Sequence, residues 1–89
     1  SGDNNLEELL YRFEFPERPG ALMAFVEELN PCWNISIFHY RNQGSDVGRI
    51  VLGVQVPKQQ SSDWQQFLRQ LKVPWADETK NPAYQLFLV

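Results

Sequence analysis

Three stretches of this chain carry residue types that can do chemistry. In Phe15-Pro16-Glu17-Arg18-Pro19-Gly20-Ala21-Leu22, a Gly stands where an extended run turns into a helical one. A Gly there lets backbone approach a ligand closely, and N–H groups at a helix start favour a carboxylate or phosphate. A Pro-Gly pair also makes a tight turn with no ligand, and local chemistry alone favours that simpler reading. In Asn34-Ile35-Ser36-Ile37-Phe38-His39-Tyr40-Arg41, a lone His adjoins a phenol and a guanidinium. General-acid chemistry needs a reacting partner, and no nucleophile is visible beside them. Asp77 and Glu78 are adjacent carboxylates. On a strand they would point to opposite faces, which disfavours a catalytic dyad. Cys32 is the single cysteine and reads as structural or incidental. No Cys, Asp or second His lies at metal-ligand spacing from His39, and no phosphate-binding Gly loop is present. The expected catalytic residues and metal ligands are therefore none.

Composition narrows the function classes. The 89 residues make one domain, with a thin stability margin. The formal charge of −3 lacks the basic balance of a nucleic-acid binder. No apolar run is long enough for a membrane span, and no signal-peptide pattern opens the chain. One cysteine excludes an internal disulfide and suggests a reducing compartment. Three Trp, three Tyr and six Phe exceed what a small core needs, so some ring surface is expected to face a ligand or partner.

The elements that would position these residues follow from periodicity. Ser1-Gly2 reads as a tag remnant, and residues 1–8 as a polar tail or linker before a domain spanning 9–89. Leu9, Tyr11, Phe13 and Phe15 alternate with Leu10, Arg12 and Glu14, a half-buried strand. Leu22, Phe25, Val26 and Leu29 recur at helical spacing, and Asn30-Pro31 stops that helix. Trp33, Ile35 and Ile37 share one face of a second strand, Phe38 and Tyr40 the other. After a loop at 42–46, Ile50, Leu52, Val54 and Val56 alternate in a third strand, forming a hairpin with the second. Trp64, Phe67, Leu68 and Leu71 mark a second helix, with Ser62 and Gln65 as a capping box. A turn-rich stretch at 77–82 leads to a last strand from about Ala83 to Val89.

The order β-α-β-β-α-β predicts an α+β, ferredoxin-like fold: a four-stranded antiparallel sheet with two helices on one face. The other face would be bare and would carry Leu10 and Val51, which suggests that a second domain or subunit packs nearby.

These residues bear a specific likeness. FPERPGAL over 15–22, followed by WNISIFHYR over 33–41, resembles the C-terminal regulatory region of biosynthetic threonine dehydratase (threonine deaminase). The likeness continues through Gly48-Arg49, Asp77-Glu78-Thr79 and Asn81-Pro82-Ala83-Tyr84, covering nearly all the chain after its first residues. The resemblance implies an ACT-like fold, in accord with the element order. It implies a regulatory domain fused after a pyridoxal-phosphate catalytic domain, within a homotetramer that opens isoleucine biosynthesis. Isoleucine would inhibit and valine counteract, through paired ACT-like domains. This chain would be the second of two such domains where two are present. It would need no cofactor and perform no catalysis itself. The setting would be cytoplasmic in a bacterium and the plastid in a plant.

The resemblance also tips the balance at Gly20 toward a ligand. Backbone groups of Pro19, Gly20, Ala21 and Leu22 would meet the effector's carboxylate. Asn34 and nearby carbonyls would meet its ammonium, and Leu22, Phe25, Ile35 and Phe38 would wall its side chain. Other functions share the element order. An RNA-recognition domain needs aromatics on its central strands, and the third strand here has none. An acylphosphatase-like enzyme needs an anion loop beside Arg18, and none is visible. A domain-pairing module with no effector site is the serious alternative.

Overall fold

The computed structural model describes residues 6–42 and 46–84. Strand β1 spans Leu6–Pro16, helix α1 Ala21–Glu28, β2 Asn34–Asn42, β3 Val47–Pro57, helix α2 Ser61–Leu71 and β4 Trp75–Asp77. The strands form one sheet in the order β2-β3-β1-β4, with every pairing antiparallel. This is the expected ferredoxin-like arrangement.

Both helices pack on one face. Tyr11, Phe13 and Phe15 of β1 meet Ile50, Leu52, Val54 and Val56 of β3, Phe25 of α1, and Trp64, Phe67 and Leu68 of α2. Rings dominate the contacts. Phe13 and Phe25 lie edge to face at 5.0 Å, Tyr11 and Trp64 at 5.1 Å, and Trp33 and Trp64 at 5.4 Å. Each such pair adds about 1 kcal/mol beyond the area it buries.

Several expectations need correction. The tail is shorter than 1–8, because Leu6–Glu8 already pair with Gln55–Pro57. The strand expected from about Ala83 does not begin there. Pro82–Tyr84 form a short 3₁₀ turn, and Gln85–Val89 lie outside the described residues. The fourth strand is the brief Trp75–Asp77, which pairs with Tyr11–Phe13. It is extended at both ends by Glu14 N–H bonding Pro74 O (3.1 Å) and Glu78 N–H bonding Leu10 O (2.8 Å). The capping box does not form either. The N-cap of α2 is Gln60, whose side chain accepts the Trp33 indole N–H at 2.8 Å and ties the start of α2 to the start of β2. Val26, expected on the apolar face of α1, is exposed.

Strand β2 also departs from strict alternation. Its register against β3 slips between Ile35 and Ile37, a bulge at Ser36. Ile35 lies opposite Val54, Phe38 opposite Leu52 and Tyr40 opposite Ile50, so all three share the helix-covered face. Ile37 is carried to the other face with His39 and Arg41. The bulge needs Gly53 across from it, since a Cβ there would stand 2.9 Å from Ser36 Oγ and 3.0 Å from Ile37 Cβ.

The face expected to be bare is partly covered by the chain itself. Leu10 is fully buried and Val51 nearly so. The segment after β4 turns onto this side: Arg12 Nε donates to Glu78 Oε2 at 3.0 Å, Asn81 Nδ2 donates to Glu78 Oε1 at 2.7 Å, and Tyr84 borders Val51. The Asn81 amide and then the Arg12 guanidinium hold the Glu78 carboxyl below the usual carboxylate range. Glu8 accepts hydrogen bonds from Ser36 Oγ (2.7 Å) and Gln55 Nε2 (3.0 Å) at the far end of the same face.

Candidate functional site

The β1–α1 turn is built around one unusual backbone angle. Gly20 has φ +84° and is the N-cap of α1. An L side chain there would strain the backbone, although a Cβ would meet nothing within 4 Å. The open space beside Gly20 is therefore available to something else. Arg18 O accepts the Ala21 N–H at 3.0 Å, and Gly20 O accepts the Ala24 N–H at 2.9 Å. Gly20 has no side chain to cap the helix, and the first turn of α1 carries no acidic residue. The Leu22 and Met23 N–H groups thus lack a capping side chain, and the positive end of α1 is uncompensated locally.

A hollow of about 480 Å³ opens beside this turn. Phe15, Ala21, Ala24, Phe25, Leu71 and Val73 give it apolar walls, and Arg18 and Glu28 stand on its border with opposite charges. Of the expected set, Pro19, Gly20, Ala21 and Phe25 line it. Leu22 packs on the core instead. Phe38 lies tilted to Phe25 with ring centroids 6.5 Å apart and stays partly exposed on the β2 flank.

Asn34 and Ile35 are elsewhere. Asn34 pairs through Gln55 with the Glu8 level of β1, whereas Gly20 follows Pro16 at the other end of that strand. Seven residues of strand separate the Asn34 level from Phe15, about 23 Å. The Asn34 amide donates to Gln55 Oε1 at 2.8 Å. What β2 does bring to the turn is its other end. Asn42 Nδ2 donates to Glu17 Oε2 at 2.7 Å, and Tyr40 lies 6.3 Å from Phe15.

Arg18, Glu28 and Leu71 were missed as site residues. One signal was present for Glu28: Ala21, Ala24, Phe25 and Glu28 fall at i, i+3, i+4 and i+7, a second stripe of α1 beside the apolar one. Leu71 reaches the hollow only through the packing of α2 beside α1, which no local pattern reports.

Elsewhere the chemistry-bearing residues stay dispersed. His39 and Arg41 lie on the open sheet face, Tyr40 on the other. Asp77 Oδ1 accepts the Thr79 N–H at 2.9 Å, while Glu78 binds Arg12, so the two carboxylates serve a turn and an ion pair. Among the described residues, no group of three or more His, Cys, Asp or Glu is placed to hold a metal ion. No helix among them is long and apolar enough to cross a membrane.

The fold and sequence have known counterparts. The ACT domain from GTP pyrophosphokinase of Chlorobium tepidum superposes with a TM-score of 0.64 at 12% identity, covering 82% of this chain and 86% of that one. The L-threonine dehydratase biosynthetic IlvA of Burkholderia multivorans is 55% identical over 83 residues, 93% of this chain and 16% of that protein. The mitochondrial threonine dehydratase of Saccharomyces cerevisiae is 47% identical over 81 residues, 91% of this chain and 14% of that protein. A chloroplastic threonine dehydratase of Solanum lycopersicum is 46% identical over 81 residues, 91% of this chain and 13% of that protein. The chain thus spans about a sixth or less of the length of these curated relatives. The family model for the C-terminal regulatory domain of threonine dehydratase matches residues 2–88, and the chain belongs to that family.

Proposed function

We propose that this domain binds branched-chain amino acids at the β1–α1 turn and regulates a threonine dehydratase to which it is fused. Isoleucine inhibits and valine counteracts. The observation that carries this reading is the hollow at Gly20. Uncapped N–H groups and Arg18 suit a carboxylate, Glu28 suits an ammonium, and Phe25, Ala24 and Leu71 suit a branched apolar side chain. The family's regulatory character supports the assignment.

The separation of Asn34 from Gly20 has a physical solution in pairing. Strand β2 lies at the sheet edge, and Ile35, Phe38 and Tyr40 on its covered face are each 37–44% exposed. Two ACT-like domains meeting antiparallel along β2 would set Asn34 and Ile35 of one beside the Asn42 end of the other, next to its Gly20 turn. Each site would then be completed across the junction. The effector would favour the paired arrangement by its differential affinity for it.

The parent is a pyridoxal-phosphate enzyme and a homotetramer in this reading, cytoplasmic in a bacterium and plastidic in a plant. The cofactor belongs to its catalytic domain. Pyridoxal phosphate needs a sheltered lysine for its Schiff base, and Lys58, Lys72 and Lys80 are all exposed and outside the Gly20 hollow, so this domain does not fit it.

A titration of the domain with isoleucine and valine, followed by backbone amide NMR, tests the assignment. Saturable shifts at Gly20, Ala21, Leu22 and Glu28, absent with threonine, are expected. An intact spectrum that does not respond contradicts it and favours the exposed β2 flank as a pairing surface only.

A further inference from the structure

On the sheet face opposite the helices, Arg41 of β2 lies directly across from Arg49 of β3. Like charges in directly opposed positions repel, so this pair works against the fold rather than for it. The neighbouring carboxylates do little to relieve it. Glu14 Oε2 is held at 2.8 Å by Arg12 Nη1 and reaches Arg49 Nη2 only at 3.5 Å, while Glu78 is taken by Arg12 Nε. Arg41 makes no ion pair among the described residues. Arg49 Nε is buried and has no hydrogen-bond partner there. The Arg49 side chain as a whole is more than a third exposed. Three guanidiniums face two carboxylates, in a domain whose net charge is −3.

The same two arginines border a hollow of about 190 Å³, lined also by Ile37, Val51, His39 and Tyr84. Ile37 and Val51 make one side apolar. A bare inorganic anion leaves the apolar side unused.

We propose that this hollow is a second ligand site, for a small monocarboxylate with a short branched apolar tail and no α-ammonium group, gripped between Arg41 and Arg49. The carboxylate relieves the repulsion between the two guanidiniums, and the tail rests on Ile37 and Val51. An α-ammonium would be brought against the guanidiniums and repelled, so an amino acid is the wrong ligand here. The site is thereby separate in chemistry, as in place, from the Gly20 hollow.

Isobutyrate, isobutyramide and valine are the probes, with backbone amide and arginine Nε signals followed by NMR on the intact domain. Isobutyrate is expected to move Arg49 Nε–H, Ile37 and Val51 saturably. Isobutyramide should leave them unmoved, and valine should act there more weakly than isobutyrate. Arg41→Gln should weaken isobutyrate binding about tenfold while sparing the Gly20 signals. Arg41 is exposed, so the variant retains its packing. In ligand-free, low-salt buffer it should also raise the melting temperature by removing the repulsion. No saturable change at about 50 mM isobutyrate, where a millimolar site would be filled, overturns the proposal. So does an equal response to isobutyramide, or valine binding at these residues as tightly as isobutyrate.

Discussion

The two faces of one sheet are held by different physics. Under the helices, β1 and β3 contribute Tyr11, Phe13, Phe15, Ile50, Leu52, Val54 and Val56, and rings from both helices close on them. On the other face, the same strands present Glu8, Gln55, Arg12, Glu14 and Arg49 in rows of hydrogen bonds and ion pairs, with Leu10 and Val51 set between. Burial of apolar area is non-directional and sums over many contacts. Exposed polar rows add little net stability each, because water competes for every bond. The covered face therefore holds the fold, while the open face shapes a hollow and positions charge. The β1–α1 turn lies at one end of the covered side, where Phe15, Phe25, Leu71 and Val73 wall its hollow.

Breaking the covered face should have the largest effect. Phe13 is fully buried and touches Tyr11, Phe25 and Phe67. Phe13→Ala should cost about 4 kcal/mol in a chemical denaturation series, enough to leave so small a domain barely folded. The next effect tests the bulge that assigns β2 residues to their faces. Gly53→Ala places a Cβ against Ser36 Oγ and Ile37 Cβ and should cost about 2 kcal/mol, with amide shifts spread along β2. A neutral outcome would mean that β2 pairs without the bulge.

Smaller changes sharpen the division further. Gly20→Ala meets no steric contact, so its cost is the left-handed backbone alone, about 1 kcal/mol. Isoleucine binding should fall more steeply than stability, because the methyl enters the space beside the helix N–H groups. Glu78→Gln should cost at most about 1 kcal/mol at neutral pH, the range of a partly exposed ion pair. Its sign with pH is specific. The folded-state value of Glu78 lies below that of the unfolded chain. Its contribution is therefore present above the unfolded value and lost as pH falls through the folded one. Thermal melts should lose part of their acid sensitivity in the variant.

The covered face was readable in the sequence because its signals are local and periodic. Alternation marked Tyr11, Phe13 and Phe15 and the β3 valines, and helical spacing marked Phe25, Trp64, Phe67 and Leu68. The strand at Trp75–Asp77 was not readable, since three residues are too short for alternation. The bulge broke the period-two reading of β2, and its signal, Gly53 across the ladder, is visible only once the register is known. The Gly20 turn was legible as a Gly at a strand-to-helix junction. Its hollow was legible only in part, because Leu71 joins it through the packing of α2 beside α1. Asn34 shares no wall of that hollow, because parallel travel of β1 and β2 sends their first residues to the end of the sheet away from the turn.

In the proposed reading, the Gly20 hollow is half of an effector site, completed when two domains pair along β2. Sedimentation velocity of the domain with and without isoleucine tests it most directly, with Phe38→Lys as the variant that charges the exposed β2 flank. Isoleucine is predicted to shift the wild-type domain toward a dimer and to leave Phe38→Lys monomeric and weakly bound. Tight isoleucine binding by a domain that stays monomeric, or a dimer that ignores isoleucine, would contradict it.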